Sequence, residues 1–349
     1  MTVDRASSDT PFVSVVMPVL NEQRFIDHAV RSVLTQHYPP DRFEVIVADG
    51  MSTDGTRQIL ADLQSRHPQL AVLDNPRRIQ TTGLNLALAR AKGDVIVRLD
   101  GHAEIAPDFL AQNVEVLAAH PEAWSVGGPI RHAARTVVGK AVAVAMSHPF
   151  GVGNAKHRYP DYEGYVEGAQ FPAFRRWVFD RIGGFDERLA RNEDDELNFR
   201  IHRAGGRVFV SPRIRYTYYV RDHFGQLFRQ YLQYGFWRIP VMEKHRRPTT
   251  ARQLAPTAFY AAAIGAGLAA LWLRQPLLAV VLPGAYGAAL AAAGLATVPK
   301  AGLLVGACVP PAIATMHAGY GWGLAYGLWA RVFRPGAWDH QGRMAALTR

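Results

Sequence analysis

One cysteine, Cys308, stands in 349 residues, so no internal disulfide can form and no cysteine-rich zinc site can be assembled. No G-x-G-x-x-G follows the first apolar run and no P-loop occurs anywhere, which removes the usual support for dinucleotide or ATP binding. The first eleven residues are polar and lack the apolar stretch of a cleavable leader. Internal repeats and low-complexity tracts are missing from the amino-terminal part. Negative charge is the minority: 29 Asp and Glu against 39 Lys and Arg leave a formal net charge of +10. That balance suits nucleic acid, anionic lipid or a phosphate-rich substrate alike.

What is present divides the chain in two. Up to about Arg252, charged residues mix with short β-branched runs; from Leu254 the composition turns to Ala, Gly, Leu and Val, a shift that marks a domain boundary. Residues 254–273 and 277–298 are nearly uninterrupted apolar stretches, each with the roughly 20 residues needed to cross a bilayer. A third stretch, 303–329, contains Pro310-Pro311 and the aromatics Tyr320, Trp322, Tyr326 and Trp329, suited to a membrane interface. The competing reading is a hydrophobic helical subdomain of a soluble protein. Lys244, His245, Arg246, Arg247 and Arg252 precede the first stretch and only Arg274 follows it, which places the amino-terminal part on the cytoplasmic side of a multi-pass inner-membrane protein. Three full crossings would put Arg331, Arg334, Arg343 and Arg349 outside. The Pro-broken third stretch is therefore expected to be re-entrant, interfacial or a short hairpin. The resulting division is a tail at 1–11, an α/β domain at 12–240, a basic juxtamembrane linker at 241–253, a membrane domain at 254–333 and a tail at 334–349.

Within 12–240, residues 13–17, 43–48, 71–73, 95–99 and 125–128 read as strands, and 22–35, 56–66 and 81–91 have helical spacing. Their alternation predicts an α/β fold with a mostly parallel sheet. In such sheets ligands collect at the carboxyl ends of the strands, and there this chain places PVLNE (18–22), DGMSTDGT (49–56) and DGH (100–102). Asn21 and Asp54 read equally well as helix caps. Asp49, before a glycine turn, can accept hydrogen bonds from a base or ribose. Asp100 and His102 can both reach one divalent cation, with a diphosphate filling other positions; the plain alternative is a loop running into the next helix. Glu193, Asp194, Asp195 and Glu196 follow a Gly-Gly-Phe-Asp turn, and their repulsion is expected to raise the proton affinity of at least one, as a general base requires. A helix start stabilised by the macrodipole is the plain reading. In residues 230–238, Gln233, Trp237 and Arg238 offer an amide, a stacking face and a cation to sugar and phosphate, or else seat an interfacial helix on lipid.

PVLNE, ADGMSTDGT, RLDGH, IGGFDE and NEDDELNFR together resemble the family 2 inverting glycosyltransferases, of GT-A (Rossmann-like) fold, over about residues 12–240. PFGVG (149–153) and QYLQYGFWR (230–238) are similar to segments of polysaccharide-forming members, succinoglycan-type glucosyltransferases among them. The second is like the Q-x-x-R-W element of processive synthases with its order changed. The resemblance implies donor contacts from Pro18, Glu22, Asp49 and Asp100, a metal at Asp100 and His102, Asp194 as catalytic base, and acceptor contacts from Glu193, Gln233, Trp237 and Arg238. His102 stands where the family's D-x-D has its second acid, which shifts the expected cation from Mg²⁺ toward Mn²⁺. The expected reaction moves a sugar from a nucleotide-sugar donor, UDP-linked, to a hydroxyl of a lipid-linked or growing polysaccharide. It takes place at membrane lipid and in company with other polysaccharide-assembly proteins. A polyprenyl-phosphate sugar transferase is the alternative enzyme. Nucleic acid is disfavoured as a partner because carboxylates are interleaved among the cations.

Overall fold

The computed structural model describes residues 10–248 and 250–334; most of both expected tails, with Arg343 and Arg349, lies outside them. The chain divides into two units. The first takes the described residues up to Pro129 together with Asp161–Glu187 and Arg200–Thr217. Among the described residues its main sheet has eight strands: β1 (Val13–Val19), β2 (Phe43–Asp49), β3 (Leu70–Asp74), β4 (Val95–Arg98), β5 (Ala123–Gly128), β6 (Gly164–Val166), β7 (Gln170–Arg175) and β8 (Arg207–Val210). Their spatial order is β3-β2-β1-β4-β7-β5-β8-β6. Helices α1 (Ile26–Leu34), α2 (Thr56–Arg66), α3 (Gln80–Arg90) and α4 (Phe109–Ala119) alternate with the first strands.

β1 is buried along its whole length, as a strand covered on both faces must be. Its parallel register sets Val19 beside Asp49, and β2 in turn sets Asp49 beside Asp74, so three strands end level. β4 stops earlier, with Arg98 beside Val16. Pro18 therefore lies past the end of β4, where β1 needs no amide on that side. The half of the sheet beyond β4 is mixed: β7 runs antiparallel to both β4 and β5, and β6 antiparallel to β8. The sequence hid β7 because Pro172 sits inside it. The ladder tolerates this proline because pairing with β4 ends at Ala173 and the register with β5 slips between Val126 and Gly128.

The second unit takes Ile130–Pro160, Arg188–Phe199 and the described residues from Tyr218. It contains α5 (Val137–Ala145), the start of α6 (Glu193–Arg203), α7 (Phe224–Phe236), α8 (Arg238–His245), α9 (Ala255–Leu273), α10 (Leu277–Ala301) and α11 (Leu303–Phe333). The division does not fall at a linker near residue 240. Segments expected in the α/β domain join the apolar helices, because α5 and α7 share a core with α10 and α11 built from Ala141, Val142, Leu227, Val309, Ile313 and Met316.

Three helices, ending in α9, α10 and α11, are long and apolar enough to cross a membrane. On α9 Leu271 and Trp272 are 78% and 83% exposed, the pattern of a helix meant for lipid rather than water. The third stretch is one continuous helix through Pro310 and Pro311, which corrects the expected break. Close contact with α10 supports it there. A Cβ built on Gly306 would lie 2.9 Å from the Gly294 carbonyl oxygen, and one on Gly294 2.8 Å from Pro310 Cγ. Small residues of this kind let apolar helices touch backbone to backbone and tolerate proline. The carboxyl half of α11 uses the same device toward α7. Gly319, Gly323 and Gly327, every fourth residue, lie against Phe228, Leu232 and Phe236.

A side chain at Gly323 would place its Cβ 2.1 Å from the Leu232 carbonyl oxygen. Gly323→Leu is expected to cost about 3 kcal/mol by overpacking, measured as loss of monodisperse protein and a lower melting temperature in detergent, whereas Gly267→Leu, with open space around it, leaves both unchanged.

Candidate functional site

In the first unit the loops after β1 and β2 are stitched together. Ser52 Oγ accepts from the Asn21 amide at 2.8 Å, the Asn21 side chain accepts from the Thr53 amide at 2.8 Å, and Thr56 Oγ1 accepts from the Glu22 amide at 2.8 Å. Asn21 and Met51 adopt positive φ to make these turns. Asp54 is a local cap, accepting from the Thr56 amide and hydroxyl. The Thr56 hydroxyl is the main reason its carboxyl lies below the usual range.

Asp49 stands behind this loop. It is 1% exposed and accepts from the Ser52 hydroxyl at 2.5 Å and from Arg57 Nη1 at 2.8 Å. The other arm of Arg57 reaches Asp74 at 2.9 Å, so one guanidinium spans the ends of β2 and β3. Hydrogen bonding to Asp74, then to Asp49, raises the Arg57 pKa. In this arrangement Asp49 is shielded from solvent; of the groups it holds, Ser52 is buried with it and Arg57 reaches the surface. Pro18 is likewise buried, packed toward Gly83 of α3.

After β4 the chain turns through Asp100–Ala103, closed by the Ala103 amide on the Asp100 carbonyl at 3.0 Å. Arg98, 5% exposed at its side chain, donates Nη2 to Asp100 Oδ1 at 3.0 Å. His102 Nδ1 lies 3.0 Å from Glu22 Oε1. Gly101 makes that meeting feasible, since a Cβ there would strike Val19 Cγ1 at 2.8 Å and Glu22 Cγ at 3.1 Å. With the ring neutral, the Glu22 bond puts the proton on Nδ1 and the lone pair on Nε2, the orientation that carboxylates impose on metal-ligating imidazoles. Among the described residues no three His, Cys, Asp or Glu side chains converge as a metal cage. Asp100 oxygen and His102 nitrogen therefore fit a cation that takes its remaining ligands from elsewhere, and suit a borderline ion such as Mn²⁺. Asp108, at the start of α4, makes no side-chain cap and receives Arg215 instead, while Gln36 Oε1 accepts from the Leu110 amide at 3.0 Å.

In the second unit two of the four acids that open α6 are met by cations. Glu196 is fully buried and meets Lys244 Nζ at 2.7 Å and His245 Nε2 at 3.0 Å. Asp195 meets Arg238 Nη2 at 2.5 Å. Burial opposes its charge, but Arg238, with His157 and Arg158, outweighs that and holds the carboxyl below the ordinary range. Asp194 accepts from the Asp195 amide at 2.8 Å, and Glu193 is 5% exposed. Gln233, Trp237 and Arg238 are all buried, Trp237 edge-on to Phe236 and Arg238 paired through Nη2 with Asp195. The basic run is partly committed too, Lys244 to Glu196 and Arg247 over the Phe199 ring.

The chain matches Glycosyl transferase family 2 over residues 14–182. It is 34% identical over 297 residues to the succinoglycan biosynthesis protein ExoA of Rhizobium meliloti (strain 1021), covering 83% of this chain and 86% of that protein. The chain belongs to glycosyltransferase family 2. This glycosyltransferase is also 25% identical over 232 residues, 64% of its length and 72% of the other, to a Methanococcus voltae dolichyl N-acetyl-α-D-glucosaminyl phosphate 3-β-D-2,3-diacetamido-2,3-dideoxy-β-D-glucuronosyltransferase. In three dimensions it is similar to a mannosyltransferase from Pyrobaculum calidifontis solved with GDP-Man and Mn²⁺, with TM-score 0.60, 24% identity and coverage of 92% and 88%. The shared fold is GT-A, as the sequence led one to expect.

Sequence reading of this glycosyltransferase missed Arg57, Asp74 and Arg98. Asp74 was accessible to the rule that found Asp49, an acid closing a strand. The two arginines gave no local signal, because their partners lie 8 or 17 residues away or inside the same strand end.

Two histidines of the second unit, His132 and His157, are pushed by burial, and secondarily by Arg158, down to about 3. An unfolded histidine titrates near 6.5, so between those values the unfolded chain binds more protons. Their contribution to stability is complete above about pH 6.5 and falls by on the order of 1 kcal/mol per pH unit per histidine as pH drops toward 3. Asp195 adds to the loss as pH falls below the ordinary carboxylate range, and its share is complete at its own depressed value. Melting temperatures measured from pH 7.5 to 5 should fall for the wild type and fall less steeply for His157→Asn; parallel curves would show that the imidazole is not held neutral.

Proposed function

We propose that the enzyme transfers a sugar from a nucleotide-sugar donor, UDP-linked, to a hydroxyl of a lipid-linked or growing polysaccharide, with inversion, at the cytoplasmic membrane. The observation that carries this reading is the Asp100–His102 turn held by Arg98 and Glu22 at the strand ends of a family 2 glycosyltransferase. The names of the relatives support the acceptor class: one serves succinoglycan biosynthesis and another acts on a dolichyl-phosphate sugar. The neighbour solved with GDP-Man and Mn²⁺ supports a nucleotide sugar and a divalent cation.

Asp100 and His102 would hold the cation, which when bound supplies charge neutralisation to the donor diphosphate. Around it, Glu22 fixes the His102 tautomer, Arg98 fixes the Asp100 carboxylate, and Arg57 presents its cation where the nucleoside would lie. Asp194 takes the proton of the acceptor hydroxyl as that oxygen bonds to the anomeric carbon and the bond to the diphosphate breaks. Glu193 supports the acceptor side. The apolar helices α9 to α11 would keep the unit at the membrane where a lipid-borne glycan arrives.

Chelator should abolish sugar transfer in membrane extracts and added Mn²⁺ or Mg²⁺ restore it; undiminished transfer in excess chelator would remove the Asp100–His102 role. Asp194→Asn should lower turnover by roughly 10² to 10⁴ with donor binding unchanged. If turnover persists, transfer onto a lipid phosphate, which needs no hydroxyl deprotonation, becomes the better description.

A further inference from the structure

The second unit contains a guanidinium with no counterion. Arg158 ends the short 3₁₀ turn Lys156–Arg158. Protein surrounds it, yet among the described residues no carboxylate comes within salt-bridge distance, and its Nη1, sealed from solvent, meets no hydrogen-bond acceptor. Its electrostatic neighbours are Tyr231, Tyr234, Tyr218 and Asp195. Asp195 is already committed to Arg238. Tyr231 and Tyr234 stay protonated, because burial pushes both upward. His157 is neutral, and Arg252 adds its positive charge from beside it.

These groups line a recess rather than a solid core. Asp195 keeps 44% of its side chain accessible, and Arg158, Tyr218 and Tyr234 are half-buried rather than sealed, so open space lies in front of them. Tyr231 Oη meets no partner among the described residues, so a hydroxyl donor joins the arginine on the same wall. A buried cation without a partner is costly. The cost is offset when an anion with several oxygens enters, because arginine forks and hydroxyls match phosphate geometry.

We infer that this recess, centred on Arg158 and Tyr231, binds the phosphate or diphosphate group of a lipid-borne acceptor. The inference rests on the reading of the protein as a transferase to lipid-linked glycans. The source is lipid rather than nucleotide because the wall that carries Tyr231 is α7, packed directly on the glycine face of α11, a helix long and apolar enough to cross a membrane. A head group held in the recess could keep its apolar tail along that helix.

The test uses the full chain in detergent micelles and calorimetric titration with farnesyl diphosphate, farnesol, inorganic pyrophosphate and UDP. Wild type should bind farnesyl diphosphate and not farnesol. Arg158→Gln should weaken farnesyl diphosphate at least tenfold and leave UDP affinity unchanged, Arg158→Lys should recover part of the loss, and Tyr231→Phe should weaken it severalfold. Because Arg158→Gln removes an unpaired buried charge, its melting temperature without ligand should equal or exceed that of wild type; a marked fall would assign the arginine to the fold. Equal binding of farnesyl diphosphate by Arg158→Gln and wild type overturns the proposal, and parallel loss of UDP would move Arg158 to the donor. Sugar transfer is scored separately. Transfer to a lipid-linked glycan by a variant with unaltered farnesyl diphosphate binding rejects the recess alone. Selective diphosphate binding without any such transfer rejects the acceptor reading alone.

Discussion

A carboxylate removed from water must be met by a cation or lose its charge, and the two units are organised by how that demand is satisfied. Asp49, 1% exposed, is met by Arg57. Glu196, fully buried, is met by Lys244 and His245. Asp100 shares Arg98, whose side chain is itself 5% exposed. The first two tie strand ends, or two helices, that are separate in sequence, whereas Arg98 and Asp100 stiffen a single strand end. Such pairs add little net stability over apolar packing, but breaking one strands its partner at a cost of about 3–5 kcal/mol. They therefore act on placement: Arg57 sets the distance between the β2 and β3 ends, and Glu196 fixes α8 against α6.

The parallel half of the sheet was legible in the sequence because β-branched runs, glycine turns and helical spacing alternate there without conflict. α2 falls at Thr56–Arg66 as the spacing predicts. The antiparallel half was hidden by local signals that tertiary pairing overrides, Pro172 in β7 being the clearest. The acids at strand ends were equally legible, since a carboxylate closing a buried strand has few structural uses. What they do there was not. Asp49 faces inward and Asp54 caps a helix because a hydroxyl and an amide, Ser52 and Thr56, happen to lie two or three residues on. No periodicity reports an ion pair such as Asp195 with Arg238, formed across 43 residues.

Apolar composition located the three long helices but misjudged the third. Proline was weighted as it would be in water, where a lost backbone hydrogen bond and a steric clash end a helix. Between packed apolar helices the alternative to a helix is worse, because an irregular backbone would expose unpaired polar groups. The glycines tell the rest. Gly319, Gly323 and Gly327 look like low-propensity residues that should weaken α11, whereas they are the face on which α7 rests. Their spacing was visible in the sequence; its partner was an amphipathic helix that sequence reading had assigned to the other domain.

The substitution of histidine for the second acid of the D-x-D motif gains meaning from Glu22. A second carboxylate in place of His102 would face the Glu22 carboxylate 3.0 Å away, and like charges that close cannot both remain ionised. An imidazole accepts that neighbour, donating one nitrogen to it and keeping the other for a ligand. Glu22 and His102 are thus a matched pair, each tolerable because of the other, and Gly101 is the residue that lets them meet. A chain with Asp at position 102 would need Glu22 to turn away, which the amide-to-hydroxyl bond from Glu22 to Thr56 restrains. The departure from the motif is then matched to the loop that precedes it.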